Sequence, residues 1–152
     1  MATEEDGRRQ DAGGDSIPTS AVPQNMPVGK LIGFTISEVG GGRAVVTLES
    51  GPHHTNPMGT IHGGILCDIA DAAMGIAFHS TLAESESFTT VELKINFFRP
   101  VWKGQLRAEG KVVRRGKTVG YVECEITDEN ARAVAKASST CLVLRGKDAA
   151  GR

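Results

Sequence analysis

Between His62 and Ser80 the chain keeps a helical period, and after Ser87 it keeps a period of two almost to its end. Ile65, Ile69, Ala72, Ile76 and His79 are spaced by four, three, four and three residues, which lines them along one helix face. A second stripe, Gly64, Asp68, Asp71, Gly75 and Phe78, runs beside it. Most of the circumference is apolar or small, so a helix over about 62–80 is expected to be buried on nearly all sides. Gly75 would cost roughly 1 kcal/mol in an exposed helix interior. Its presence predicts that another backbone comes close there. No other segment carries this period convincingly, so one long helix must be reconciled with many strands.

The strands are read from alternation. Ile32, Phe34 and Ile36 alternate with Gly33, Thr35 and Ser37, and Ala44, Val46 and Leu48 follow the Gly40-Gly41-Gly42 turn. A loop from Gly51 to Thr60, carrying Pro52 and Pro57, leads into the helix. Beyond it, Val91, Leu93, Ile95 and Phe97 alternate with Thr90, Glu92, Lys94 and Asn96. Leu106, Ala108 and Val112 continue the period, then Val122, Cys124 and Ile126, then a last strand over roughly Ala131 to Leu144. Turns at Arg115-Gly116-Lys117 and Asp128-Glu129-Asn130 favour antiparallel hairpins. The expected class is α+β, one helix against a curved antiparallel sheet. At 152 residues one domain is the simplest division. It is expected over 28–145, between a polar, disordered tail over 1–25 and a short tail over 146–152.

Charge and cysteine usage exclude several classes. A net charge of -1 with scattered Arg and Lys gives no basic stripe for nucleic acid. No apolar run is long enough to span a membrane, and residues 1–30 lack the apolar core of a secretion signal. Cys67, Cys124 and Cys141 are odd in number and widely spaced, which suits neither a disulfide framework nor a zinc site. They read as small buried hydrophobes in a cytoplasmic protein.

Chemistry concentrates in Asn56-Pro57-Met58-Gly59-Thr60-Ile61-His62-Gly63-Gly64, followed by Asp71. Paired glycines at a helix start expose N–H groups that have no intrahelical acceptor and sit at the positive end of the helix dipole. Such donors can polarise a carbonyl. A carboxylate on an apolar helix needs a reason, because burying it unpaired is costly. Asp71 is either a catalytic group or a carboxylate paired to a donor. Asp68, one turn earlier, is either the true base or a dipole-favoured surface group. His53-His54 has no third ligand at standard spacing, and neighbours on an extended loop point apart, so a solvated loop is expected rather than a metal site. Gly110 to Thr118 has five residues between Gly110 and Gly116 where a P-loop needs four, and its context is strand–turn–strand. No GxSxG elbow is present.

The Asn56-to-Gly64 segment with Asp71 nine residues after His62 resembles the PaaI-type, phenylacetate-pathway branch of the hotdog-fold acyl-CoA thioesterases. Phe97-Phe98-Arg99-Pro100-Val101 with Gly104 and Arg107-Ala108-Glu109 is similar to a strand pair of hotdog 4-hydroxybenzoyl-CoA thioesterases, and Gly116-Lys117-Thr118 to the hairpin that follows. The likeness runs from about Leu31 to Leu144. It implies a hotdog fold, with the curved sheet wrapped around the central helix, and a dimer or a tetramer of two dimers. It also implies roles. Asp71 is the catalytic carboxylate, as nucleophile or general base. The Gly63 N–H polarises the thioester carbonyl, Asn56 orients substrate or water, His62 supports the loop, and Thr90 assists the hydrolytic water. Gly64 lies against the substrate. Arg114, Arg115, Lys117 and Thr118 either meet coenzyme A or form a solvated charged turn.

Geometry adds a constraint. Gly63 and Asp71 are eight residues apart, about 12 Å along one helix at 1.5 Å per residue. One thioester carbonyl cannot meet both at reaction distance. If both act, they come from different subunits. The expected activity is hydrolysis of an aryl- or medium-chain acyl-CoA to acid and coenzyme A, with coenzyme A as part of the substrate and no metal or other cofactor. The rivals are a hotdog enoyl-CoA hydratase or dehydratase and a non-catalytic acyl-CoA-binding protein.

Overall fold

The computed structural model describes residues 26–151, so the tail expected over 1–25 lies outside them. Its first element is a helix where a strand was expected, α1 (Pro27–Ile32). Pro27 sits in the first turn, where a missing N–H costs nothing, and Gly33 ends the helix at φ 89° in a left-handed cap. Ile32 therefore closes a helix, and the alternation is real only from Phe34 onward. The strands are β1 (Phe34–Gly40), β2 (Arg43–Glu49), β3 (Glu86–Phe97), β4 (Gln105–Arg115), β5 (Val119–Asp128) and β6 (Ala133–Arg145). The long helix α2 (Gly63–His79) lies between β2 and β3 in the chain. The segment expected to be a C-terminal tail begins with a 3-10 turn, Gly146–Ala149.

All six strands form one antiparallel sheet in the order β1-β2-β4-β5-β6-β3. Helix α2 reaches every one of them. A helix about 10–12 Å across cannot touch six strands spread flat at about 4.8 Å each, so the sheet curls around it. Leu66, Ile69, Ala70, Ala73, Met74, Ala77 and Phe78 of α2 are buried against Val46, Leu48, Leu106, Ala108, Val122, Cys124, Ile126 and Ala137.

Three expectations change here. The helix is not buried on nearly all sides of the protomer. Ile65, Ala72 and Ile76 are half-buried, and Gly64, Asp71 and His79 are exposed. Small and apolar residues surround this helix, so periodicity alone could not pick the inner face. The close backbone approach is also not at Gly75, where an added Cβ would meet the Phe88 ring at 3.4 Å. It occurs at Gly110 of β4, where a Cβ would lie 2.4 Å from the Ala73 carbonyl oxygen. Finally, the alternation through β3 breaks. The register with β6 shifts between Thr90 and Glu92, leaving Val91 as a bulge that is 58% exposed. Strict alternation would set Thr90 on the same face as Glu92 and Lys94. The bulge turns it to the helix side, with Leu93, Ile95 and Phe97.

Candidate active site

The N-terminus of α2 is built by the loop before it. Asn56 Oδ1 accepts the N–H groups of Met58, at 2.9 Å, and Thr60, at 3.3 Å, and Asn56 Nδ2 donates to Thr60 Oγ1 at 2.8 Å. The amide is thus largely spent on holding its own loop, with one Nδ2 hydrogen remaining. Ile61 N–H donates to the Val101 carbonyl at 2.7 Å, and His62 N–H to the His54 carbonyl at 2.8 Å. His54 departs from the solvated loop expected of it. It is 3% exposed, accepts the Gly51 N–H at Nδ1 (2.9 Å) and so donates from Nε2 to the Ile32 carbonyl (2.7 Å). One ring ties α1 to the loop that sets the start of α2. Its neighbour His53 is exposed.

His62 is the N-cap. Its Nδ1 accepts the Gly64 N–H at 2.9 Å, which satisfies one of the unpaired donors of the first turn. The Gly63 N–H is not among the groups this ring satisfies. Phe97, at the end of β3, lies over that position. A Cβ on Gly63 would stand 3.0 Å from the Phe97 ring, which is still half exposed. Sequence reasoning missed Phe97 as a site residue, although its alternation with Leu93 and Ile95 already placed it on the inner face.

Asp71 stands on the open face of α2, two turns along. Thr90 Oγ1 donates to Asp71 Oδ1 at 3.4 Å. Burial pushes the Asp71 carboxyl above the usual aspartate value, the Thr90 hydroxyl pulls it back, and the Asp68 charge raises it further. The same carboxylates, after burial, raise the half-buried Cys67 thiol. The Arg115 guanidinium turns inward. It pairs with Glu86 at 2.7 Å and lies 5.4 Å from the Phe78 ring centre. Glu86 also binds Arg145, and the Ala83 N–H followed by this arginine holds its carboxyl below the usual range. Arg114, Lys117 and Thr118 remain exposed at the far end of α2. The structure thus gathers Asn56, His62, Gly63 and Gly64 at one end of the helix, Asp71 and Thr90 midway, and the basic hairpin at the other end. Among the described residues, no group of three or more His, Cys, Asp or Glu is arranged to hold a metal. Among the same residues, no helix is long and apolar enough to cross a membrane.

A sheet curled around one helix that carries its carboxylate on the uncovered face is the hotdog architecture. The family model described as the thioesterase superfamily matches residues 58–135. A Saccharolobus solfataricus protein named provisionally as an esterase is 37% identical over 118 residues, covering 78% of this chain and 84% of its own. The acyl-coenzyme A thioesterase PaaI of Escherichia coli is 32% identical over 117 residues, covering 76% of this chain and 81% of its own. The solved structure of that protein, from the phenylacetic acid degradation operon, superposes with a TM-score of 0.75 and 28% identity, covering 80% of this chain and 87% of its own. A 1,4-dihydroxy-2-naphthoyl-CoA hydrolase of Listeria monocytogenes is 28% identical over 120 residues, covering 79% and 98%. The chain belongs to the thioesterase superfamily, and it is a thioester hydrolase.

Proposed function

We propose that this enzyme hydrolyses an aryl- or medium-chain acyl-CoA at a site shared between two copies of the chain. In each site Asp71 of one copy would face Gly63 of the partner subunit. The observation that carries this reading is the Thr90–Asp71 pair on the open face of α2. That pair lies about 12 Å along the helix from the Gly63 N–H of its own chain. A second observation supports the pairing. Strand β3 is twelve residues long, has β6 as its one neighbour among the described residues, and exposes Val91 and Phe97. A long bare edge of this kind is a template for another strand. Thr90 lies on it, so two-fold pairing of β3 would bring the two open helix faces together.

In the reaction the Asp71 carboxylate attacks the thioester carbonyl or takes a proton from the attacking water. The oxyanion develops against the Gly63 N–H, a contact of a kind worth ~2.7–4 kcal/mol. The C–S bond then breaks. Where Asp71 is the base, the proton it took from water passes to the leaving thiolate and the free acid remains. Where Asp71 is the nucleophile, the thiolate leaves an acyl–Asp71 anhydride, which a water molecule hydrolyses to the free acid and the Asp71 carboxylate, its second proton going to the thiolate. Coenzyme A is part of the substrate, and no further cofactor enters. His62 and Asn56 hold the loop that presents Gly63, and Thr90 steadies Asp71 or the water. Arg114, Lys117 and Thr118 are available to the nucleotide end of coenzyme A, while Arg115 is held by Glu86. Two dimers would pair into a tetramer. Three free cysteines suit a reducing, cytoplasmic setting. The aromatic preference rests on the PaaI and naphthoyl-CoA relatives.

The test is thiol release from a panel of aryl- and alkyl-CoA esters. Asp71→Asn should lower kcat by about 100-fold or more. Retention of wild-type kcat would overturn the role of Asp71, and hydration of crotonyl-CoA without thiol release would favour the hydratase. Gly63 is the first residue of α2, where proline is tolerated, so Gly63→Pro removes the N–H and keeps the helix, while its Cβ, 3.0 Å from the Phe97 ring, shifts that half-exposed side chain; Gly63→Ala, which adds the same Cβ and keeps the N–H, is the control. Refolding Gly63→Pro together with Asp71→Asn should restore roughly a quarter of the activity, because half the dimers carry one intact site. No recovery on mixing would mean that the two residues do not share a site across subunits.

A further inference from the structure

Gly75 has no packing reason inside the protomer. Glycine in a helix interior is less stable than alanine, and an added Cβ would meet two atoms of the Phe88 ring at 3.4 and 3.8 Å, which is ordinary contact. Alanine would therefore fit, and would hold the helix better. What the missing side chain preserves is a half-buried notch on the open face, about 6 Å along α2 from Asp71. Strand β3 sets Phe88 beside Gly75 as it sets Thr90 beside Asp71. The Phe88 ring walls the notch and extends toward the exposed His79, with ring centres 6.5 Å apart. Phe78 holds that ring from behind, edge-on at 5.4 Å, and Phe78 lies against Gly120, where a Cβ has no room. The wall is fixed in place.

Symmetry then gives the open face a direction. Where Asp71 faces Gly63 of the partner subunit, the two-fold axis crosses α2 midway between these residues, at the level of Cys67. From Asp71 the helix leads two ways. Toward Cys67 the space closes on the second copy of the same helix. Toward Gly75 and His79 it leads away from the axis and ends at the exposed cations Arg114 and Lys117, on the hairpin that Arg115 and Gly120 seat against Phe78. A phosphate-bearing nucleotide suits the second direction. We propose that Gly75 and Phe88 form the groove that receives the pantetheine arm of coenzyme A, between the thioester at Asp71 and the basic hairpin. The arm is a thin amide chain about as long as four extended residues, roughly 14 Å. Asp71 and His79 are about 12 Å apart along α2, so an arm that starts at Asp71 passes over Gly75 and ends at the hairpin. Its first atoms beyond the sulfur are two methylene groups, slender and apolar, which suit a notch without a side chain beside an aromatic ring. The acyl group takes the closed direction, toward Cys67.

This inference rests on the shared site proposed above. The experiment is hydrolysis of phenylacetyl-CoA, hexanoyl-CoA and the methyl thioester of phenylacetic acid by full-length wild type, Gly75→Ala and Phe88→Leu, with product inhibition by free coenzyme A and melting temperatures. Gly75→Ala should raise KM for both CoA esters, and the inhibition constant of coenzyme A, by one common factor of about tenfold. Its kcat should stay within about threefold, because the arm is held alike in ground and transition states. The methyl thioester has no arm and should keep its wild-type kcat/KM, while the melting temperature rises. Phe88→Leu keeps an apolar wall but loses a flat one, and should raise the same constants by about threefold. A higher melting temperature with unmoved KM in Gly75→Ala would overturn the groove. A loss confined to phenylacetyl-CoA would overturn it by placing the acyl group there. An equal loss on the methyl thioester would overturn it by tracing the effect to Asp71. If Gly63→Pro and Asp71→Asn complement on mixing while KM is unmoved in Gly75→Ala, the groove fails and the shared site stands. Failure of that mixing rejects the shared site, and with it the direction assigned to the arm.

Discussion

On one side of α2, Ala70, Ala73, Met74 and Ala77 are sealed against the sheet; on the other, Gly64, Asp71 and His79 are exposed. The small residues of the sealed side, Ala70, Ala73 and Ala77, let the helix backbone sit directly on β4, and Gly110 is the point where it touches. The open side carries the carboxylate, which is raised by partial burial and by Asp68 and relieved only in part by Thr90. One face fixes the helix in place at full packing density. The other uses that rigidity to hold a group that the protomer does not stabilise well. A site of this kind places its supporting contacts behind the reacting group and leaves the front free.

The largest effect is expected on the sealed face. Gly110→Ala sets a methyl 2.4 Å from the Ala73 oxygen, a backbone atom that no rotamer change can move aside. Helix α2 must lift from β4, and overpacking of this severity costs about 3 kcal/mol. Urea denaturation would measure it. A loss under about 1 kcal/mol would show that the two faces differ less in tolerance than their packing implies.

Asp71→Asn sharpens the contrast from the open side, because its stability effect should have the opposite sign. A carboxyl whose folded value is raised binds its proton more tightly in the folded state. Its favourable contribution is full below the ordinary aspartate value of about 3.9 and is lost as pH rises through the raised value. The neutral amide has no such loss. At pH 7 the variant should therefore melt slightly higher than wild type, and the gain should vanish as pH falls below the ordinary aspartate value. Glu86 behaves in the reverse sense. Its carboxyl is lowered, so its contribution is present above the ordinary glutamate value and lost as pH falls through the lowered one. Melting temperatures across pH would separate the two. A variant less stable than wild type at pH 7 would mean that Asp71 is a paired structural carboxylate.

How far the sequence carried this contrast depends on what each feature needs. The helix over 63–79 and the hairpins after β4 and β5 were legible, because period and turn chemistry are local. Helix α1 was hidden by chance alternation, although Pro27 at its start and Gly33 at its end were signals in plain view. The inner face of α2 was not legible, since a helix small and apolar all round has no stripe to read. Asp71 could be singled out by type and spacing. Its contact with Thr90 could not, because it depends on the one-residue bulge at Val91, which alternation does not encode. Arg115 shows the same limit. As one basic residue in a turn it read either as a coenzyme A contact or as a solvated charge, and its inward pairing with Glu86 needs β3 and β4 to be placed first. The burial of His54 likewise depends on Ile32, far away in the chain.

The smallest effect belongs to Asp68, and it separates two readings of the open face. Asp68 is half-buried one turn before Asp71, on the same stripe, and its charge raises the Asp71 carboxyl. If Asp71 is the reacting group, Asp68→Asn removes a repulsive neighbour. The acidic limb of kcat/KM should then move down, with kcat within about threefold of wild type. If Asp68 is the base, the same variant should lose activity as steeply as Asp71→Asn. The direction of the limb adds what kcat alone cannot. A downward shift requires that the titrating group survive in the variant and feel one negative charge fewer. Asp71, with Thr90 as its donor, is the carboxylate on this face that meets both conditions.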